Sequence, residues 1–142
     1  MSVKQVSVFL ENKGGTLVHV TEALYGSHVD IRALSLAETT DYGIVRLMVN
    51  DAYTAVTVLK DAGFVATLTP VVAASIPDEP GGLNRILKVL CQASINVEYM
   101  YASLGGEKKG DAYMIFRVSD EKNTEKVMLE NGIHVLSEEE LR

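Results

Sequence analysis

Apolar residues recur with two different periods at the beginning of the chain. Val6, Val8 and Leu10 occupy every second position, which predicts a β-strand with one buried face. Apolar residues between positions 17 and 24 recur at helical spacing, and Gly26-Ser27 ends that run. The beginning of the chain therefore predicts a strand, a loop and a helix.

A hairpin, a second helix and a fourth strand are predicted next. Two apolar, β-rich runs flank the polar residues 38–41, which is typical of a hairpin. The helical run that follows has Asp51 as a candidate cap and Gly63 as a stop signal. The predicted elements are strands at residues 31–36 and 43–49, a helix at residues 52–62 and a strand at residues 64–68.

The second half of the chain repeats this pattern. Counterparts 66 positions apart are Val6 and Val72, Gly15 and Gly81, Leu17 and Leu83, and Val20 and Ile86. After the hairpin, counterparts 69 positions apart are Asp51 and Asp120, and Gly63 and Gly132. The second copy therefore carries a hairpin loop about three residues longer, at residues 105–110, where Lys108-Lys109 predicts a solvated tip.

The repeat predicts an α+β fold of two tandem ferredoxin-like βαββαβ units with antiparallel sheets, at residues 1–69 and 70–142. If the fourth strand ends near Thr67, residues 68–71 form a linker that reaches about 14 Å at 3.3 to 3.6 Å per residue. We therefore expect the two units to lie in close contact.

A glycine-bearing loop begins the first helix of each unit. The two loops are Asn12-Lys13-Gly14-Gly15-Thr16-Leu17 and Asp78-Glu79-Pro80-Gly81-Gly82-Leu83. Such a loop gathers bare backbone N–H groups at the positive end of a helix dipole, and glycine lets a ligand approach closely. Each loop therefore predicts a site for a small anionic group.

Composition and charge narrow the class of protein. The chain has 142 residues, of which 47% are apolar and 23% charged, as in soluble globular domains. A net charge of −6 argues against nucleic-acid binding, which needs clustered Lys and Arg. The sequence has no apolar run long enough to span a membrane and no signal peptide, so we expect a cytoplasmic protein without membrane contact.

Residues with reactive or metal-binding side chains are sparse. The single cysteine, Cys91, excludes an intramolecular disulfide, and its apolar neighbours predict a small buried residue. His19, His28 and His134 lack metal-ligand spacing, and no nucleophile has a plausible base beside it. We therefore expect no enzyme activity, no metal and no cofactor.

Both halves resemble the ACT domain, a βαββαβ regulatory module that usually binds amino acids. The family's first loop reads Asp or Asn, any residue, Pro-Gly, any residue, Leu, and the second loop fits throughout. The first loop departs from it at Gly14, where proline is usual. Residues 95–100 resemble the start of the family's second strand, where Asn96 matches a ligand-facing asparagine and the first unit has Asp30 instead.

The resemblance implies an effector held between the first loop of one unit and the second strand of the other. It would pair Asn12 with Asn96 in one pocket and Asp78 with Asp30 in another, and we expect the two pockets to differ in ligand or affinity. Whether one or two sites are occupied stays open. The residues expected to contact ligand are Asn12, Lys13, Gly14, Gly15, Thr16, Leu17, Asp30, Ile31, Asp78, Glu79, Pro80, Gly81, Gly82, Leu83, Asn96 and Val97.

The sequence thus predicts a non-catalytic sensor of a free amino acid, forming a homodimer and acting on a separate metabolic enzyme. One alternative is a regulatory subunit of a biosynthetic enzyme, resembling the small subunit of acetolactate synthase. Another is a small enzyme on a ferredoxin-like scaffold. The sequence does not name the amino acid.

Overall fold

A computed structural model describes residues 3–103 and 110–142, and it confirms the predicted α+β fold of βαββαβ repeats. The first repeat contains β1 (Val3–Glu11), α1 (Thr16–Gly26), β2 (Ile31–Glu38), β3 (Tyr42–Val49) and α2 (Ala52–Asp61). The strand β4 (Val65–Pro77) ends the first repeat and begins the second. The second repeat continues with α3 (Gly82–Gln92), β5 (Val97–Ala102), β6 (Asp111–Val118), α4 (Glu121–Glu130), β7 (His134–Val135) and α5 (Glu138–Leu141).

The element bounds reproduce the offsets seen in the sequence. Helices α1 and α3 begin 66 positions apart, whereas β3 and β6, like α2 and α4, begin 69 positions apart. The side chains of Asp51 and Asp120 cap α2 and α4 by accepting from the N–H groups of Thr54 and Asn123. The β2–β3 and β5–β6 ladders also share a register shift near their first residues. The two copies therefore follow one local design.

Contacts divide the chain into two compact units. One contains Lys4–Thr69 with Leu141–Arg142, and the other contains Pro70–Glu140 with Val3. In the first unit the strand order is β2-β3-β1-β4, and β1 and β2 pair antiparallel with β3. In the second unit the order is β5-β6-β4-β7, and its pairs are antiparallel.

Each unit buries the alternating face of its first strand against two helices. In the first unit Val6, Val8 and Leu10 pack with Val20 and Leu24 of α1 and with Ala55 and Leu59 of α2. In the second unit Val72, Ala74 and Ile76 pack with Ile86, Leu90, Phe116 and Met128. Burial of these apolar faces is the main source of stability in units of this size.

Four local predictions are wrong or lie outside the described residues. Residues 68–71 form no separate linker, because β4 runs through them without a break. Cys91 is exposed, because the apolar stripe of α3 places its neighbours, and not Cys91, against the core. The repeat predicts a last strand equivalent to residues 64–68, but that strand, β7, is only two residues long, and the acidic residues after it form α5 with Leu141 buried. Lys108-Lys109 lies outside the described residues.

Candidate functional site

The loop between β1 and α1 presents backbone N–H groups to solvent. Gly15 is the N-cap of α1 with φ 87°, in the left-handed region that favours glycine, and no side chain caps the helix. The first turn of α1 contains no acidic residue. Among the described residues, the N–H groups of Gly14 and Gly15 donate no hydrogen bond. The positive end of this helix is therefore available to a negative group.

The counterpart loop before α3 has the same backbone path but offers fewer donors. Its N-cap, Gly81, also lies in the left-handed region, with φ 90°, and it too lacks a side-chain cap. The N–H of Asp78 donates to the carbonyl of Gly110 at 2.7 Å, and the first loop makes the matching bond at 3.0 Å. Where the first loop has Gly14, the second has Pro80, which has no N–H.

The side chain of Asn12 is engaged within its own unit. Its amide nitrogen donates to Oε2 of Glu38 at 3.0 Å and lies 3.2 and 3.4 Å from the carbonyl oxygens of Thr39 and Thr40. These bonds tie the first loop to the β2–β3 hairpin, beside a recess of about 70 Å³. Asn12 therefore positions the loop, because its amide group is hydrogen-bonded to the β2–β3 hairpin.

A cleft of about 380 Å³ lies next to the first loop, where β1 ends, β3 begins and α2 turns into β4. Its apolar walls are Phe9, Leu10, Tyr42, Phe64 and Val65. Its remaining walls are Glu11, Lys13, Thr16 and Gly63. The volume lies in the range of about 300 to 1,000 Å³ that is usual for small-molecule sites. We call this space the first-unit cleft.

The charged residues of the first-unit cleft form a pair. Nζ of Lys13 lies 3.1 Å from Oε2 of Glu11, and both side chains are mostly exposed. The hydroxyl of Thr16 lies 2.7 Å from the carbonyl oxygen of Lys13 and 3.1 Å from that of Glu11. An exposed pair of this kind contributes little to stability, so both charges can turn to a ligand at small cost.

The equivalent place in the second unit is nearly filled. Its cavity measures only about 40 Å³, close to the space of a single water molecule. A Cβ added at Gly82 would lie 2.2 Å from the carbonyl oxygen of Pro77, so the start of α3 approaches the end of β4 too closely for any side chain. The first unit has Thr16 at the equivalent position. The close approach at Gly82 thus accounts for part of the difference in volume.

The side chains that would line a second cleft are also replaced. The counterparts of Phe9, Tyr42 and Val65 are Ser75, Asp111 and His134. Of the predicted site residues in the second loop, Glu79 and Leu83 are exposed, whereas Gly82 is buried. The second loop therefore lacks the apolar cleft that accompanies the first.

Asp30, predicted to face ligand, is bonded within its own unit. Its Oδ2 lies 3.2 Å from Nη1 of Arg32. Its N–H donates to Oδ1 of Asn50 at 2.9 Å, and its carbonyl accepts from the N–H of Asn50 at 3.1 Å. Asp30 precedes β2, whereas the first loop follows β1 and is bonded to the opposite end of β2.

The other predicted strand residues also lie away from the first-unit cleft. Ile31 pairs with Val49, Val97 pairs with Val118, and Asn96 is exposed just before β5. None of these lines the first-unit cleft. The predicted pairings of Asn12 with Asn96 and of Asp78 with Asp30 each involve residues from different units, and they stay predictions.

The sequence interpretation missed the apolar wall. The predicted site residues include neither the apolar wall, formed by Phe9, Leu10, Tyr42, Phe64 and Val65, nor the charged residue Glu11. A signal was present at Phe9, which occupies a solvent-facing position of the alternating strand and is 51% exposed. Its partners could not be recognised, because the proximity of Tyr42 and the turn at residues 63–65 depends on the folded sheet.

The described part of the chain shows no further chemistry at this site. Among residues 3–103 and 110–142, no group of three or more His, Cys, Asp or Glu side chains is placed to hold a metal ion. No helix in these residues is long and apolar enough to cross a membrane.

Known structures and families agree with the fold. A protein of known crystal structure from Bacteroides thetaiotaomicron is 36% identical, with a TM-score of 0.92 over 99% of this chain and 96% of that one. The ligand-free regulatory subunit of aspartate kinase from Thermus thermophilus is 13% identical, with a TM-score of 0.63 over 89% of this chain and 90% of that one. This second likeness shows the fold alone.

A larger enzyme contains the same fold as one part. Aspartate kinase from Clostridium acetobutylicum is 10% identical, with a TM-score of 0.55 over 91% of this chain and 33% of that one. No match is found among curated proteins. The profile of the ACT domain pair family, by contrast, matches residues 1–142. The chain therefore belongs to the ACT domain pair family, whose domains are regulatory, non-catalytic modules.

Proposed function

We propose that this protein is a cytoplasmic sensor that binds a free amino acid in the first-unit cleft and carries out no reaction on it. The single observation that carries the proposal is the cleft of about 380 Å³ next to an uncapped helix N-terminus in a member of a regulatory family. A pocket of this kind, with few polar groups in an apolar wall, is the usual form of a small-molecule site.

The polar groups of the cleft complement a zwitterion. The effector's carboxylate would pair with the ammonium of Lys13, which lines the cleft, and would extend to the N–H groups of Gly14 and Gly15 in the adjoining loop. The effector's ammonium would turn to the carboxylate of Glu11. Because Lys13 and Glu11 already pair at 3.1 Å, a zwitterion would replace one ion pair by two.

The proposal assigns one site to each chain. The second loop has the family's sequence motif, but its cavity of about 40 Å³ is smaller than an amino acid, which supports a single site in the first unit. Gly82 and Pro77 close that space through backbone contact, so rotation of a side chain would not open it. The second unit then has the loop motif without a cleft of this size beside it.

Binding would act on a partner by ordering the first loop. A ligand shifts an equilibrium only by its difference in affinity for two states, so the loop must differ between the free and bound forms. We assign the regulated enzyme to a separate chain and expect a homodimer, because β2 is an outer strand of the first unit and exposes Leu34 and Leu36.

A thermal-shift screen of the twenty amino acids tests this function. At 100 times its Kd, the effector should add about 2.7 kcal/mol to the free energy of unfolding. Lys13→Ala should abolish the shift, whereas Glu79→Ala, the equivalent position of the second unit, should leave it unchanged. No shift with any amino acid, or equal losses in the two variants, would contradict the proposal.

A further inference from the structure

Three of the five apolar side chains in the walls of the first-unit cleft, Phe9, Tyr42 and Phe64, are aromatic, and much of this wall is open to solvent. Phe9, Tyr42 and Val65 are 51%, 66% and 63% exposed, and Phe64 packs only partly against the core. Apolar side chains that stay in contact with water do not contribute the stabilisation that their burial would give. An apolar ligand group in the cleft would recover part of it.

The register of the strands places this apolar surface beside a charged group. Glu11 lies opposite Tyr42 in the β1–β3 ladder, so their side chains share one face of the sheet. Phe9, two residues before Glu11 on the same strand, points to that face as well. A carboxylate is thus flanked by two rings, which matches an ammonium next to an apolar side chain.

The fold itself does not require these residues. The second unit forms the corresponding strands and helices, with a shorter last strand, and has Ser75, Asp111 and His134 in place of Phe9, Tyr42 and Val65. Because the second unit folds without an aromatic wall, the wall of the first unit calls for another explanation. Contact with a ligand is the explanation that fits a cleft of about 380 Å³.

A charged ligand side chain would be poorly matched. The charged residues of the cleft are Glu11 and Lys13, and an amino acid's own ammonium and carboxylate engage both. A further charge on the ligand would find no partner among the residues of the cleft and would gain nothing from its apolar walls. Basic and acidic amino acids are therefore disfavoured.

We infer that the effector is an amino acid with a large apolar side chain, of which phenylalanine is the best probe, packed against Phe9, Tyr42 and Val65. This inference rests on the proposed function and narrows it. The backbone of the amino acid lies at Lys13 and Glu11, and its side chain lies along the aromatic wall.

Titration calorimetry of the full chain with phenylalanine, leucine, alanine and lysine tests the inference. Phenylalanine should bind at least about tenfold more tightly than alanine, and lysine should bind no better than alanine. 3-Phenylpropionate, which keeps the ring and carboxylate but lacks the ammonium, should bind more weakly than phenylalanine.

Two variants locate the side chain of the ligand. Tyr42→Ala and Phe9→Ala should each lower the affinity for phenylalanine about tenfold and leave the affinity for alanine nearly unchanged. Both residues are exposed, so their removal should have little effect on the stability of the fold. Tyr53→Ala, which removes an equally exposed tyrosine from α2 outside the cleft, is the control and should have no effect.

The outcomes separate this inference from the proposed function. If alanine or lysine binds as tightly as phenylalanine, and Tyr42→Ala does not change the affinity for phenylalanine, the inference is overturned while the sensor function stands. If none of the four amino acids binds and the thermal-shift screen of all twenty shows no stabilisation, both the inference and the proposed function are overturned.

Discussion

The two units of this chain have the same fold, yet within residues 3–103 and 110–142 the end of the first strand is accompanied by a cleft in the first unit and by a small cavity in the second. Their helices begin at equivalent positions, and Asp51 and Asp120 make equivalent caps. At the end of the first strand, however, the cavity measures about 380 Å³ in one unit and about 40 Å³ in the other. A loop motif shared by both units is therefore insufficient to predict a binding site, because the neighbouring side chains decide whether there is space beside it.

The largest expected effect concerns Gly82. Gly82→Ala should lower the free energy of unfolding by about 1 to 3 kcal/mol, since the added Cβ would lie 2.2 Å from a backbone oxygen that cannot rotate away. Urea denaturation measures the change. Gly14→Ala in the first loop is the control, because a Cβ there meets nothing within 4 Å. Equal stability of the two variants would mean that the second unit is not closed by this contact.

A second change makes the first loop more like the second. Gly14→Pro removes one N–H from the proposed carboxylate site, and a hydrogen bond to a charged group contributes about 1.5 to 3 kcal/mol. Calorimetry should therefore show an effector affinity at least about tenfold lower. The reverse change, Pro80→Gly, should create no binding in the second unit. Unchanged affinity in Gly14→Pro would remove this loop from the site.

A third change tests how the first loop is held. Asn12→Asp introduces the residue of the second loop and replaces the amide donors by a carboxylate facing Glu38 and two carbonyl oxygens. The loss of these bonds should lower the free energy of unfolding by about 1 kcal/mol in urea denaturation. Asp78→Asn in the second unit should be close to neutral. A neutral Asn12→Asp variant would show that the hairpin does not hold the loop.

The smallest expected effect concerns α5, which has no counterpart in the first unit. The hydrogen bond from the His134 ring, at 2.6 Å, and the bonds from Ser137 lower the pKa of Glu140 from its ordinary value of 4.5. Because the pKa is lowered in the folded state, the stabilisation is present above pH 4.5 and is lost as the pH falls through the folded pKa.

The contribution of the Glu140–His134 pair to stability should be small, because the side chains of Glu140 and His134 are both substantially exposed. Urea denaturation of the wild type and Glu140→Gln at pH 7 and at pH 3 measures it. The two proteins should differ at pH 7 and converge at pH 3. A difference that grows on acidification would contradict the assignment.

The sequence predicted the repeat and its offsets because apolar period and glycine position are local properties of the chain. Helices α1 and α3 begin where the loop motifs predicted them, and the longer second hairpin explains the change of offset from 66 to 69. The fold class and the family followed from these features, and both are confirmed.

The cleft could not be predicted in the same way. It requires Tyr42 to lie opposite Glu11 across two strands and requires the turn at Gly63 to approach β1, and neither follows from local periodicity. The exposure of Cys91 and the unbroken β4 are similar cases, since each depends on packing around the residue.

Calorimetric stoichiometry with phenylalanine is the most direct test of the central claim, that one unit of the pair binds an amino acid. The account predicts one site per chain, lost in Lys13→Ala and retained in Glu79→Ala. Two sites per chain, or a single site that survives Lys13→Ala and disappears in Glu79→Ala, would contradict it.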